Sequence, residues 1–344
     1  MDSFREVIKN FSPSWFAMVM GTGVYATSTG VLYYIIHLSF LVIFSQWLVF
    51  INFVMFSAIL VPFLWKLLFY PNEVKRDFKN PLQANFYVMF GIALLSLAAN
   101  FSIVNPVGIL YISFWFFGTL AVVIIEMYIL TISFLGKHIE IQHINPSWFL
   151  GTTGLLLVPG TGFMVVMVPQ LHDLSLFLFD FSFGAGFFLY IALFSIWIYR
   201  FILHEPLKNY RIPLFWINLG PIGAFLMSLI VHYHYSVGLE GVSMFFAMLL
   251  MGSGVWWFIM ALIITLYYLG HINIPYKTAW WSFTFPLGQF LIGVNLFNSV
   301  YHNSTITLFV VFLYLLLSVF WITNIFMMIH SLLREGIMAV QGID

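Results

Sequence analysis

The chain has 344 residues, 62% of them hydrophobic and 7% charged, with twelve Lys or Arg, twelve Asp or Glu, no net charge and no Cys. Its mean hydropathy is +1.01. Soluble globular chains carry about 25% charged residues, so this composition excludes a soluble fold, a disordered chain, a disulfide scaffold and a nucleic-acid-binding surface, and it points to an all-α integral membrane protein.

Residues 1–10 are polar and mixed in charge, unlike the apolar run of a cleavable signal. Ten apolar stretches follow, at 14–36, 40–64, 84–104, 107–135, 147–168, 175–199, 212–232, 241–269, 279–300 and 305–331. Each has about the 20 residues that cross a bilayer. They are read as ten transmembrane helices of one domain over 1–344. Every Lys and Arg precedes the first span or follows an even one: Arg5 and Lys9, then Lys66, Lys75, Arg76 and Lys79, then Lys137, then Arg200, Lys208 and Arg211, then Lys277, then Arg334. Basic loops stay in the cytoplasm. Both termini are therefore expected there, in a multi-pass protein of the plasma membrane.

Odd and even spans differ. The first carries Gly21, Thr22 and Gly23; the fifth Thr153, Pro159, Gly160 and Thr161; the seventh Asn218 and Pro221; the ninth Ser282, Pro286 and Asn295. Even spans are built of Phe, Leu, Ile, Val and Trp, and 40–64 has no Gly. Lipid cannot satisfy freed backbone groups, so Gly- and Pro-broken segments belong where protein or a water-filled cavity covers them. Odd spans are expected as an inner ring with helix breaks at 159–162, 220–221 and 285–286, and even spans as an outer ring. The odd spans also share an opening. Pro-Ser-Trp-Phe stands at 13–16 and again at 146–149, each time followed by Gly-Thr-Gly, at 21–23 and 160–162. The unit is one hairpin of about 65 residues. All units start on one side, giving five parallel-repeat hairpins around a central pore.

The segments Phe11-Ser-Pro-Ser-Trp-Phe-Ala-Met-Val-Met-Gly-Thr-Gly23 and Ala279-Trp-Trp-Ser-Phe-Thr-Phe-Pro-Leu-Gly288 resemble the tellurite-resistance/dicarboxylate transporter family, nearest its malate and sulfite branch. The resemblance covers nearly the whole chain. It implies a ten-helix bundle of five hairpins around a pore, a homotrimer, and a Phe on the ninth helix that plugs the pore. Phe285 is the matching position, with Phe283 its local rival. The Trp-Phe and Gly-Thr-Gly of the first span depart from the family's channel members.

No Lys or Arg lies deep in a span, so an anion would be met by helix N-termini and by hydrogen bonds from Thr22, Thr153, Thr161, Asn218, Ser282 and Asn295. His232, His234 and His302 follow spans seven and nine on the outer side, which has no Lys or Arg. With an ordinary pKa of about 6.5 they would make a pH-sensing mouth. Glu126 is the deepest carboxylate, with a protonation role or a structural one; Glu73 and Asp77 read as solvated surface. No residues form a nucleophile–base pair or a metal motif, so neither enzymatic activity nor a cofactor is expected. The function read from these features is transport of small anions across the lipid bilayer, malate-like dicarboxylate or sulfite first. A gated anion channel for chloride, nitrate or tellurite on the same scaffold is the alternative.

Overall fold

In the computed structural model, helices make up all regular structure among the described residues, which are 4–136, 139–205, 209–271 and 275–341. Lys137 and Lys208, used above to orient the chain, lie outside them. The long helices are α1 (Phe16–Ile36), α2 (Phe40–Phe69), α3 (Val88–Val104), α4 (Ile109–Leu135), α5 (Phe149–Gly162), α6 (His172–Leu203), α7 (Leu219–Tyr235), α8 (Glu240–His271), α9 (Phe285–Tyr301) and α10 (Ser304–Gln341). The last of these kinks at Gly336, where φ is 80°.

The repeated opening does one local job twice. Pro13–Trp15 and Pro146–Trp148 are single 3-10 turns leading into α1 and α5. The side chain before each turn accepts a backbone N–H: Ser12 Oγ from Ser14 at 3.2 Å, and Asn145 Oδ1 from Ser147 at 2.9 Å. Pro at the first position gives up an N–H that has no intrahelical partner in any case.

Among the described residues seven segments are long and apolar enough to cross a membrane: 40–69, 83–104, 109–135, 169–203, 212–235, 240–271 and 304–334. The helices α1, α5 and α9 fall outside that set. α5 has 14 residues and α9 has 17, while α1 carries seven Gly, Ser or Thr. What compensates is cover. α1, α3, α5, α7 and α9 touch one another in a closed ring, α9 returning to α1, and each packs against the next helix in the chain. The most apolar stretch of α7 and its approach turn is 94% buried, against 28% for each of α4, α6, α8 and α10. Helices wrapped by protein need not be apolar all round; those facing lipid must be.

Several boundaries differ from the sequence reading. The fifth span is helical only to Gly162 and continues as 3-10 turns at Val165–Met167 and Pro169–Leu171. No break occurs at Pro159, which lies inside α5. The carbonyls around it are met from outside: Trp115 Nε1 donates to Val158 O, Tyr111 OH to Thr161 O, and Ser228 Oγ to Leu156 O. Pro221 and Pro286 do not interrupt helices either. They occupy the first turns of α7 and α9, where N–H groups need no intrahelical acceptor. The spans bend instead where 3-10 segments, Asn209–Asn218 and Thr278–Phe283, hand over to α-helix.

The reading of Glu73 and Asp77 as solvated surface is also corrected. The short helix Pro71–Lys79 folds back on the bundle. Lys66 Nζ donates to Asp77 Oδ2 at 2.5 Å and to the Phe11 carbonyl at 2.8 Å, and Tyr87 OH donates to the same Asp77 oxygen at 2.8 Å. Glu73 binds Lys9 and Arg76 at 3.3 and 2.6 Å. Both carboxylates are mostly buried. Desolvated carboxylates need such partners.

Candidate functional site: a closed central path

A vestibule and a small void lie within the ring of odd helices. At the C-terminal ends of these helices lies a vestibule of about 590 Å³, to which all five contribute, among them Thr27 and Gly30 of α1, Ser102 of α3, Gly160 and Thr161 of α5, His234 of α7 and Ser299 of α9. Nearer their N-terminal ends is a void of about 20 Å³ bounded by Ala17, Met20, Met89, Leu150, Thr153, Ile217, Trp281, Ser282, Phe285 and Pro286. Thr153 and Gly160 mark the two cavities on one helix, about 10 Å apart at 1.5 Å per residue. Buried side chains fill the layer between, where Val24 packs against Gly288.

Phe285 and Phe283 part company here. Phe285 is buried and borders the small void inside the ring. Phe283 is buried in an aromatic cluster with Trp216, Trp280 and Phe320, which anchors the approach turn of α9 to α10. The two positions are thus one bordering residue and one packing residue.

The polar residues named from the sequence divide in the same way. Thr153 and Ser282 border the small void and Thr161 the vestibule. The Thr hydroxyl protons are committed to their own helix: Thr153 Oγ1 donates to Phe149 O at 2.6 Å, and Thr161 Oγ1 to Leu157 O at 2.8 Å. These hydroxyls therefore present lone pairs, not the donors expected above. Thr22 does not face the path. Its Oγ1 accepts from Trp321 Nε1 of α10 at 3.1 Å. Asn218 is fully buried beside Ile217; its Oδ1 accepts from Tyr190 OH at 3.2 Å, and its Nδ2 has no partner among the described residues. It is a spare donor near the narrow part. Asn295 is partly buried and borders neither cavity. Gly21 lets Trp281 and Thr284 close on α1, and Gly23 does the same for Asn52 and Ser96.

The three-histidine mouth does not assemble. His232 turns outward: its Nε2 lies 3.2 Å from Asp180 Oδ1 of α6 and its Nδ1 2.8 Å from the Ser228 carbonyl. His302 is the C-cap of α9 at φ 57°, as His37 is of α1 at φ 59°. Left-handed backbone accepts His more readily than most side chains, which gives both a local reason to be there. His234 alone borders the vestibule. Glu126 of α4 is buried with its carboxyl against Gly151 of α5, in neither cavity wall.

Among the described residues no Lys, Arg, Asp or Glu borders either cavity. α5, α7 and α9 all begin near the small void, and a helix N-terminus is the end that favours negative charge. Sequence reasoning missed the Met20, Met89 and Trp281 collar and the vestibule's Tyr33, Tyr34 and Tyr111. Helical spacing within odd spans was the available signal for all of these but Tyr111, which stands on the even helix α4.

Residues 10–329 match the voltage-dependent anion channel family (SLAC1). The chain belongs to this family. Two relatives, both uncharacterized transporters of Methanocaldococcus jannaschii, are similar over nearly the full length. One is 34% identical over 333 residues, covering 95% of this chain and 96% of its own. The other is 35% identical over 326 residues, covering 93% of each. Membership of SLAC1 makes this a multi-pass membrane protein of an anion-transporting family, not an enzyme family. Among the described residues no group of three or more His, Cys, Asp or Glu stands close enough to hold a metal.

Proposed function

We propose that the protein moves small anions across the plasma membrane along the central path, with Phe285 as the gate. On this reading α1, α5 and α9 cross the bilayer together with the seven long apolar segments. That gives ten spans in five hairpins, with both termini in the cytoplasm and the vestibule opening outside. The protein assembles as a homotrimer in which each subunit has its own path. The observation that carries the reading is the position of Phe285, buried inside a closed ring at a void too small for an anion.

The cargo is a four-carbon dicarboxylate such as malate, or sulfite. A vestibule of about 590 Å³ is in the size range of small-molecule sites, and its Tyr33 and Tyr34 hydroxyls supply hydrogen bonds without trapping the ion. Weak binding by dipoles suits passage, since an ion must also leave. His234 lies in that wall as well. Glu126 serves a proton-linked cycle only through the α4–α5 contact. A second reading, a gated channel, is favoured by the family's own description and by closure at one ring. Saturating flux marks the transporter, and ohmic current the channel.

The test is anion leak from liposomes. Phe285→Ala should stay folded and raise leak severalfold, because a side chain that fills a path leaves a gap when cut. Phe283→Ala should leave leak unchanged and lose about 3–5 kcal/mol of stability, the usual cost of truncating a packed Phe. Leak through Phe283→Ala but not Phe285→Ala would contradict the gate.

A further inference from the structure

Two amides are fully buried where α1, α2 and α3 meet. Asn52 of α2 and Asn100 of α3 are both 0% exposed. Asn52 Nδ2 donates to Asn100 Oδ1 at 2.9 Å. Asn100 Nδ2 in turn directs both of its protons to α1, one to the Gly23 carbonyl at 2.7 Å and one to Thr27 Oγ1 at 3.0 Å. Polar side chains inside a membrane-crossing bundle are costly and call for a reason. Gly23 admits this pair: a Cβ there would stand 2.7 Å from Asn52 Nδ2 and 3.2 Å from Asn100 Oδ1. The second Gly of Gly-Thr-Gly in the first span thus seats the amides against α1.

Thr27 is what the pair presents to the vestibule. It is partly exposed and stands in the vestibule wall, as do Ala99, Ser102 and Ile103 on either side of Asn100; Asn100 itself lies behind that wall. Other hydroxyls of the wall give their protons to carbonyls over short bonds: Ser45, Ser102 and Thr161 at 2.8 Å, Ser299 at 2.7 Å and Tyr111 at 2.9 Å. Thr27 differs on both sides of its oxygen. Its acceptor among the described residues, the Gly23 carbonyl, is 3.2 Å away and already holds Asn100 Nδ2 at 2.7 Å. Its oxygen meanwhile accepts from the amide, and a hydroxyl that accepts one hydrogen bond donates the next more strongly. Tyr33 and Tyr34 also border the vestibule, about 10 Å nearer the C-terminal end of α1 at 1.5 Å per residue. Thr27 is therefore the inner donor of that wall.

We propose that Thr27 is the specificity-determining donor of the vestibule: held by the Asn52–Asn100 pair, its hydroxyl turns from the Gly23 carbonyl to an oxygen of the passing anion. This rests on the reading of the ring as an anion path. The class of anion follows from the donor. A neutral hydroxyl discriminates by how strongly the anion accepts a hydrogen bond. Carboxylates and sulfite concentrate their charge on few oxygens, whereas nitrate spreads a single charge over three. Thr27 therefore favours the first two over nitrate. Asn100 touches no anion and is a positioning residue. A purely structural role for the amides, joining α1, α2 and α3 by interhelical hydrogen bonds, would leave the choice of anion untouched.

The test is flux of malate, sulfite and nitrate, each alone, into proteoliposomes of the full chain, with KM and maximal rate read separately. Thr27→Val keeps the shape and removes the hydroxyl. It should raise KM for malate or sulfite about tenfold, the worth of one hydrogen bond to a charged group, and leave that for nitrate within about twofold. Thr27→Ser keeps the hydroxyl and should keep the wild-type preference. Asn100→Leu alone would strand Asn52, so it is made together with Asn52→Leu. Replacing both partners by apolar groups of similar size is tolerated, and the double variant should lose the same preference severalfold while a thermal scan shows it folded. An unchanged preference in Thr27→Val overturns the assignment and leaves the anion path standing. So does a loss in Thr27→Ser equal to that in Thr27→Val, or wild-type flux of nitrate without malate or sulfite. An unchanged preference in the folded double variant overturns the positioning role. Flux of none of the three anions in the wild-type protein removes the path itself, and the assignment with it.

Discussion

Lys66 shows what one charge does at the edge of this bundle. It is 4% exposed at the side chain and ties three segments together through the Phe11 carbonyl and Asp77. Removing one partner of a buried pair leaves the other uncompensated, at a cost of about 3–5 kcal/mol. Lys66→Met should therefore lower the thermal midpoint sharply in detergent, and adding Asp77→Asn should restore most of the loss. A single mutant as stable as the parent would mean that the pair is solvated after all. The residue scale is also where the sequence was least legible. A mixed-charge loop read as surface, because nothing in it announces that Pro71–Lys79 folds back on Lys66 and Tyr87. Thr22 and Thr161 look alike in sequence, each preceding a Gly. One faces α10 and the other the vestibule, and only helical phase within the ring separates them. Phe285 was reached by resemblance; the aromatic cage around Phe283 is what distinguishes the two rings physically.

At the scale of elements, α7 and α9 make the closest approach in the ring. A Cβ at Gly223 would overlap the backbone of Gln289 and Phe290, and one at Gly293 would meet the Gly223 carbonyl. Backbone cannot step aside as a side chain can. Gly223→Ala should cost about 1–3 kcal/mol through overpacking. Gly252→Ala on α8, where nothing lies within 4 Å, should be neutral or slightly stabilising, since Ala is the better helix former. Thermal unfolding of the pair checks both; equal effects would contradict the close contact. The existence of these helices was legible from apolar runs and repeated openings. Their ends were not. Pro221 and Pro286 carry the sequence signature of a mid-helix break, yet each lies in a first turn, because 3-10 segments precede them. Pro159 carries the same signature inside a helix whose carbonyls find donors on α4 and α7. Those donors are remote in sequence and leave no local trace.

For the whole molecule, the alternation of Gly-rich and apolar spans was the most informative signal, because lipid and protein make opposite demands on a helix surface. It marked out in advance the helices that close on one another in a ring. It could not say which outer histidines meet. His232 and His234 are two residues apart on α7, so they point to different sides, one to Asp180 and one into the vestibule. The account as a whole rests on anions crossing through the ring. Its most direct test is flux into proteoliposomes of the wild-type protein with malate, sulfite, chloride and nitrate. The account predicts saturating uptake of malate or sulfite. Movement of none of the four anions above that in empty liposomes would contradict it.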